Sequence, residues 1–136
     1  MGIRFIYDSE SSAVKTFWEG DLDQSAIDQY LDELVELSYI KPGWVEIIDM
    51  AGVNKISLNY NSIISLSRKY GSLTSRGCTG SIIYAPEVFT YGVARMIQSI
   101  YEYDGYKVEI SRYRNKLEIL VAKLRASPYK MPIGSN

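Results

Sequence analysis

The stretch SIIYAPEVFTYGVARMIQSIY, residues 81–101, decides the fold. A short apolar run, Ser81 to Tyr84, breaks at Ala85-Pro86 and gives way to helical spacing. Phe89, Val93, Met96, Ile97 and Ile100 recur with the period of about 3.6 residues that marks one face of a helix. Pro86 suits the start of that helix, because the amide it lacks would have no intrahelical partner there. A strand feeding a helix is the repeating unit of an open parallel sheet.

Toward the N-terminus, Ile3, Phe5 and Tyr7 alternate with Arg4 and Ile6 as a half-buried strand, and Asp8 to Ser12 is a polar turn. Val14 to Trp18 reads as the returning strand, stopped by Gly20; so short a connection makes an antiparallel hairpin. Asp21 and Asp23 favour the positive end of a first helix. Its buried stripe is Ile27, Tyr30, Leu31, Leu34 and Leu37, and Pro42-Gly43 ends it. Trp44 to Ile48 is a compact apolar strand closed by Asp49, with a loop expected over Met50 to Lys55. Ser57 or Asn59 can cap the next helix, whose stripe is Ile63, Leu66, Tyr70 and Leu73. Gly71 to Gly77 is expected to fray it.

Toward the C-terminus, Tyr103 to Tyr106 turn the chain into a last strand, Lys107 to Ser111. There Val108 and Ile110 alternate with Lys107 and Glu109, which predicts an edge strand with one wet face. Asn115 can cap a final helix with Leu117, Leu120, Val121 and Leu124 inward. The order β-β-α-β-α-β-α-β-α predicts an α/β domain with a single open mixed sheet over residues 1–126, an N-terminal antiparallel hairpin and then parallel strands. Residues 127–136, with Pro128 and Pro132, read as a loose tail. The runs at 45–48, 81–84 and 107–111 should be parallel neighbours, with helices covering both faces of the sheet.

Composition narrows the chemistry. With 136 residues, 46% hydrophobic and 23% charged, the chain suits one soluble domain. It holds no histidine, which removes the commonest general base and every Ser-His or Cys-His pair. The lone Cys78 allows no internal disulfide, and a zinc site is not expected. No metal or cofactor is implied. No apolar run approaches the roughly 20 residues that span a bilayer, and no signal-peptide pattern opens the chain, so cytoplasmic residence is the expectation. A pI near 5.5 argues against nucleic acid as a partner. Charge is divided unevenly: residues 1–67 carry 4 Lys/Arg against 11 Asp/Glu, and residues 68–136 carry 11 against 5. That division reads either as solvated helix faces or as a dipolar surface suited to docking.

The string Ala85-Pro86, Tyr91-Gly92, Ala94-Arg95-Met96 resembles the signature of the SpoIIAA-like (STAS-like) family, and the resemblance runs from about Ile3 to Leu124. Asp49-Met50-Ala51-Gly52-Val53 is similar to the Asp-x-Ser-Gly-Val stretch that ends the third strand in anti-sigma-factor antagonists of that family. Those antagonists carry a phosphorylatable serine at the mouth of the next helix. Laid on that pattern, the acceptor position falls on Leu58 and the following glycine on Tyr60, with Ser57 and Asn59 alongside. A leucine cannot accept phosphate, so the family's phospho-serine switch is not expected here. The family's fold also resembles the lipid-carrying CRAL-TRIO domains. The resemblance therefore implies a non-enzymatic module binding a protein partner or a second copy of itself, with a small apolar or anionic ligand as the alternative.

Open α/β sheets gather ligands outside the carboxyl ends of their parallel strands. Here those ends present Asp49 to Asn54, Ala85 to Glu87 and Ser111 to Arg114. Asp49 reads either as a ligand-facing carboxylate or as an acceptor fixing amides near Gly52. Ser57 reads as a cap or as a substitute phosphate acceptor. Gly92 lies inside a helix at a cost, so a packed backbone or a bound group is expected beside it. Tyr91 and Arg95 are i, i+4 neighbours, either a binding pair or a surface face with Arg95 held by an acidic neighbour. The candidate ligand- or partner-binding residues are thus Asp49, Gly52, Ser57, Tyr91, Gly92 and Arg95.

Overall fold

The computed structural model describes residues 2–126; the expected tail, residues 127–136, lies outside the described residues. Five strands form one sheet in the order β1-β2-β3-β4-β5. They are β1 (Gly2–Asp8), β2 (Ala13–Asp23), β3 (Val45–Ser57), β4 (Ser81–Tyr84) and β5 (Val108–Ser111). The hairpin β1–β2 is antiparallel and every later pairing is parallel. The expected parallel neighbours are therefore found, with Ile48 beside Ile83 and Ile83 beside Ile110.

Four helices follow the predicted order: α1 (Gln24–Glu36), α2 (Tyr60–Ser75), α3 (Val88–Tyr103) and α4 (Leu117–Ala126). The strand order advances steadily in one direction. Three successive right-handed crossovers must then lay α1, α2 and α3 on the same face of the sheet. Contacts agree: α1 packs on β1 and β2, α2 lies between α1 and α3, and α3 packs on β5. The second face is covered only by α4, whose Leu124 packs with Ala13, Val45 and Ile82. The expectation of helices on both faces thus holds unevenly. Across β1 the second face stays open, leaving Ile6 58% exposed.

Two strands run longer than the sequence suggests. β2 passes through Gly20 to Asp23, and the expected loop at residues 50–55 is strand. The overrunning segments pair with each other, from Glu19 beside Gly52 to Asp23 beside Ser57, with register shifts on either side of Glu19-Gly20. Glycine makes one shift possible, since Gly20 has φ 76°. Leu22 and Val53 turn inward at 2% and 6% exposure. The other side of this ribbon is wet, so its composition mimics a loop.

Helix ends also differ in detail. Asp23 caps α1 by accepting from the Ala26 amide, and Asn59 caps α2 by accepting from the Ser62 amide. α2 continues through Gly71 to Ser75. Asn115 is not a cap, because it lies within a single 3-10 turn, Arg114–Lys116, that leads into α4.

The interior holds a polar cluster that hydrophobic periodicity does not reveal. Glu46, the second residue of β3 and flanked by Trp44, Val45, Ile47 and Ile48, is fully buried. It accepts hydrogen bonds from the Tyr30 hydroxyl at 2.5 Å, the Tyr70 hydroxyl at 3.1 Å, and the Ser81 hydroxyl. Tyr30 is bonded in turn to Thr16 at 2.6 Å; Ser81 is bonded to Tyr106 at 2.6 Å, and Tyr106 lies 3.2 Å from the Cys78 sulfur. Burial pushes the Glu46 carboxyl upward, against the pull of its three hydroxyl donors. Burial and the nearby Glu46 push the Cys78 thiol to about 12, so it is an inert core thiol. The rings of Tyr70, Tyr101 and Tyr106 pack together with centroids 4.8–6.0 Å apart. These tyrosines close the core beneath α3.

Candidate functional site

Level with the carboxyl end of β4, the interior of β3 delivers Asp49, β4 delivers Tyr84 beside it and the 3-10 turn after β5 delivers Arg114. Asp49 accepts from the Ala51 amide at 2.8 Å and from Arg114 at 3.0 Å. It therefore holds the β3 backbone at the register shift opposite Phe17 to Glu19 and also meets a cation. The Arg114 guanidinium lies 4.4 Å from the centroid of the Tyr84 ring, and the Asp49 carboxylate beside it raises its affinity for its proton. Below this pair opens a cleft of about 310 Å³ on the second face of the sheet. Phe17, Ile47, Leu117 and Val121 form its apolar wall, and Lys15 stands on its rim. Gly52 lies beyond the cleft in the β2–β3 ribbon, where an added Cβ would come within 3.0 Å of Glu19 Cγ. Its role is close strand packing.

The β3–α2 junction carries Ser57, Leu58 and Asn59. Ser57 is the exposed last residue of β3 and Leu58 packs against the core. The cap is Asn59, which also accepts from the Ser62 hydroxyl at 3.0 Å. Ser57 is therefore not the helix cap.

The third region is α3. Its buried residues are Thr90, Ala94, Ile97 and Tyr101. Of the predicted stripe Phe89, Val93, Met96, Ile97 and Ile100, only Ile97 is buried. The helix is rotated from that expectation because Tyr101 stacks into the tyrosine cluster, while small Thr90 and Ala94 let the backbone approach the sheet. Counting only large aliphatic residues misses both effects. Only Phe89 and Met96 of that stripe face outward, at 44% and 37% exposure, flanked by Val88 at 76% and Tyr103 at 92%, while Val93 and Ile100 are half-buried against the core. Beside it, Tyr60, Ile64, Ile100 and Tyr103 line a groove of about 420 Å³ between α2 and α3, and Tyr60 is itself exposed.

Gly92 sits in this outward face, between Phe89 and Met96. An added Cβ would meet nothing within 4 Å, so no packed backbone explains the glycine. Gly92→Ala is accordingly expected to raise stability by about 0.5–1 kcal/mol, read by urea denaturation. A loss of stability would reveal a contact at that point. Tyr91 is half-buried and its ring lies 5.8 Å from the Arg112 guanidinium. Arg95 is exposed and forms no ion pair among the described residues. The acidic neighbour expected to hold it is thus not found there.

Two solved structures share this architecture. An uncharacterised protein with a SpoIIAA-like fold from Shewanella loihica PV-4 matches with a TM-score of 0.58 and 14% identity, over 88% of this chain and 94% of that one. The anti-sigma factor antagonist SpoIIAA in its unphosphorylated form matches with a TM-score of 0.52 and 12% identity, over 89% and 97%. The fold is SpoIIAA-like. No family model matches the chain, and no curated protein is detectably similar in sequence.

Within this SpoIIAA-like fold the candidate residues fall into separate places. Asp49 joins Arg114 at the cleft; Ser57 stands at the β3–α2 junction; Gly92 and Arg95 lie on α3, with Tyr91 turned toward Arg112. Sequence reasoning missed the cleft's far wall, because Phe17 comes from the hairpin and Leu117 and Val121 from α4. It also missed the exposure of Tyr60 and Tyr103. The signal for the latter was present: the α3 apolar stripe and the tyrosine set compete for one buried face, and a helix cannot bury both.

Proposed function

We propose that the chain is a non-enzymatic STAS-like binding module that docks a protein partner on the outer face of α2 and α3, in a regulatory role without a phospho-serine switch. The observation that carries this reading is the exposed row Val88, Phe89, Met96 and Tyr103, continued by Tyr60 across the groove. A contiguous apolar patch on a helix face costs solubility and is characteristic of surfaces covered by another protein. Aromatic residues and methionine are the types enriched in interface centres. Gly92 leaves a dent between two of them, a place for a partner side chain.

Two further observations support a binding role. The chain has no histidine, and Asp49 is engaged with Arg114 rather than with Tyr91 or Arg95, so these polar candidates do not converge on one point where chemistry could be shared. Leu58 at the expected acceptor position, with Asn59 as cap, supports regulation by something other than phosphorylation at this junction.

Phe89→Asp with Met96→Asp should abolish a stoichiometric complex recovered from the protein's own cells and weighed by native mass spectrometry. The fold should survive, since both side chains are exposed. Retention of the complex in that double variant would refute the reading.

A second reading rests on the cleft of about 310 Å³ beside Asp49 and Arg114. Its apolar wall suits a small apolar ligand and Arg114, paired with Asp49, offers a donor to an anionic group on it, within the size range of ordinary ligand sites. A retained small molecule in the same native spectra, lost in Arg114→Ala, would favour this second site.

A further inference from the structure

We propose that a second copy of the chain pairs with this one along β1, antiparallel about Ile6, joining the two sheets through a twofold axis. β1 is the outer strand of the sheet. Among the described residues its backbone forms no hydrogen bond beyond its ladder with β2. An outer strand presents a row of unpaired amides and carbonyls, and proteins usually blunt such an edge with lysine, proline, a bulge or very short length. β5, at the other edge, is four residues long. β1 has seven residues, no lysine or proline, and an unbroken register from Gly2 beside Glu19 to Asp8 beside Ala13.

The sequence of β1 is self-complementary about Ile6. In an antiparallel pair centred there, Arg4 of one copy lies opposite Asp8 of the other, twice. Ile6 meets Ile6, and each Phe5 meets a Tyr7. Arg4, Ile6 and Asp8 point to the open second face of the sheet, while Phe5 and Tyr7 point to the helical face, as strand alternation requires. Opposite charges and paired aromatics directly across a ladder are the favourable combinations. Other centres lose the match: about Arg4, arginine faces arginine, and about Phe5, Arg4 faces Ile6. The isoleucine at the axis is 58% exposed in the single chain, and the Arg4 side chain 67%. A twofold contact of this kind is isologous and closes on itself, giving a dimer rather than a fibre. Five residues of strand per copy, Arg4 to Asp8, form a small interface, so the dimer is reversible and depends on concentration. α3 packs at the β5 end of the sheet, so its outer face stays free in this dimer and the two proposals fail independently.

The test is sedimentation velocity on the full chain over a concentration series, with charge variants. The native protein should form a reversible dimer. Arg4→Asp gives each copy two acidic residues at the pairing positions, and Asp8→Arg gives each copy two basic ones. Each variant alone should associate about ten-fold more weakly, or worse, because like charges then face each other. An equimolar mixture should recover the dimer, since acid then faces base at both positions. Asp8 also accepts from the Glu10 and Ser11 amides. Should Asp8→Arg fail to fold, Ile6→Lys, which sets two ammonium groups at the axis, replaces it and should be monomeric. A native chain that stays monomeric throughout overturns the proposal. So does a dimer that persists in Ile6→Lys, or a mixture that does not recover association.

Discussion

Glu46→Ala is expected to destabilise the protein by about 3–5 kcal/mol, although Glu46 touches no solvent and neighbours no candidate site. Its carboxylate is the common acceptor for Tyr30, Tyr70 and Ser81. Alanine would leave the Tyr70 hydroxyl without a partner inside the core and take one of two partners from Tyr30 and from Ser81, at about 1–3 kcal/mol for a hydroxyl left unsatisfied, and would open a cavity that close-packed neighbours refill only in part. Relief from burying an ionisable group offsets some of this sum. The same residue makes stability depend on pH. Burial raises the Glu46 carboxyl above its ordinary value of 4.5, so the folded chain holds this proton where the unfolded chain has released it. Its contribution is fully present below pH 4.5 and is lost as pH rises through the folded value. Glu46→Gln keeps the shape and an acceptor oxygen but cannot titrate, so its stability should be flatter with pH above 4.5. Urea unfolding at a series of pH values reads both effects. An alanine variant as stable as the native chain, or a glutamine variant with unchanged pH dependence, would contradict this account of the core.

Gly77→Ala should be far more damaging than the same change at Gly52 or Gly92, costing about 2–4 kcal/mol. Gly77 sits between α2 and β4 with φ 93°, a conformation that costs an L-residue about 1–2 kcal/mol. An added Cβ would also lie 2.5 Å from Pro42 Cα and 2.7 Å from its Cβ, and the Gly43 amide donates to the Gly77 carbonyl at 2.8 Å. Backbone and a rigid ring cannot yield as a flexible side chain would. The turn after α1 and the turn after α2 are therefore locked together at one end of the sheet. Thermal unfolding of Gly77→Ala beside Gly92→Ala should show shifts of opposite sign. Equal melting temperatures for the two would mean that the packing at Pro42 is looser than described.

Element type and order were legible because each strand and helix carries its own period. Ile82, Ile83 and Tyr84 form an apolar run, as a strand flanked on both sides favours, and α1 repeats its inward residues from Ile27 to Leu34. The overrun of β2 and β3 was not legible, since the ribbon from Glu19 to Ser57 is half wet and its pairing is set by long-range register. The orientation of α3 was misread for a related reason. Tyr101 is buried by stacking on Tyr70 and Tyr106, contacts made across the fold rather than along the helix. Glu46 had a local signal, a lone carboxylate inside the run Trp44 to Ile48, but its partners come from α1, α2 and β4. The candidate residues dispersed because spacing along a chain does not report which face of the sheet each one reaches. Asp49 meets Arg114 across 65 residues of sequence.

The central claim, that the outer face of α3 receives a protein partner, is tested most directly by site-specific photocrosslinking in the protein's own cells. A photoreactive side chain is placed in turn at Phe89, Met96 and Tyr103, and at Glu118 on α4 as an exposed control. The account predicts crosslinks to one defined polypeptide from the three α3 positions, none from Glu118, and their loss when Tyr60→Asp is added. Equal crosslinking from Glu118, or no crosslink from any α3 position, would contradict it.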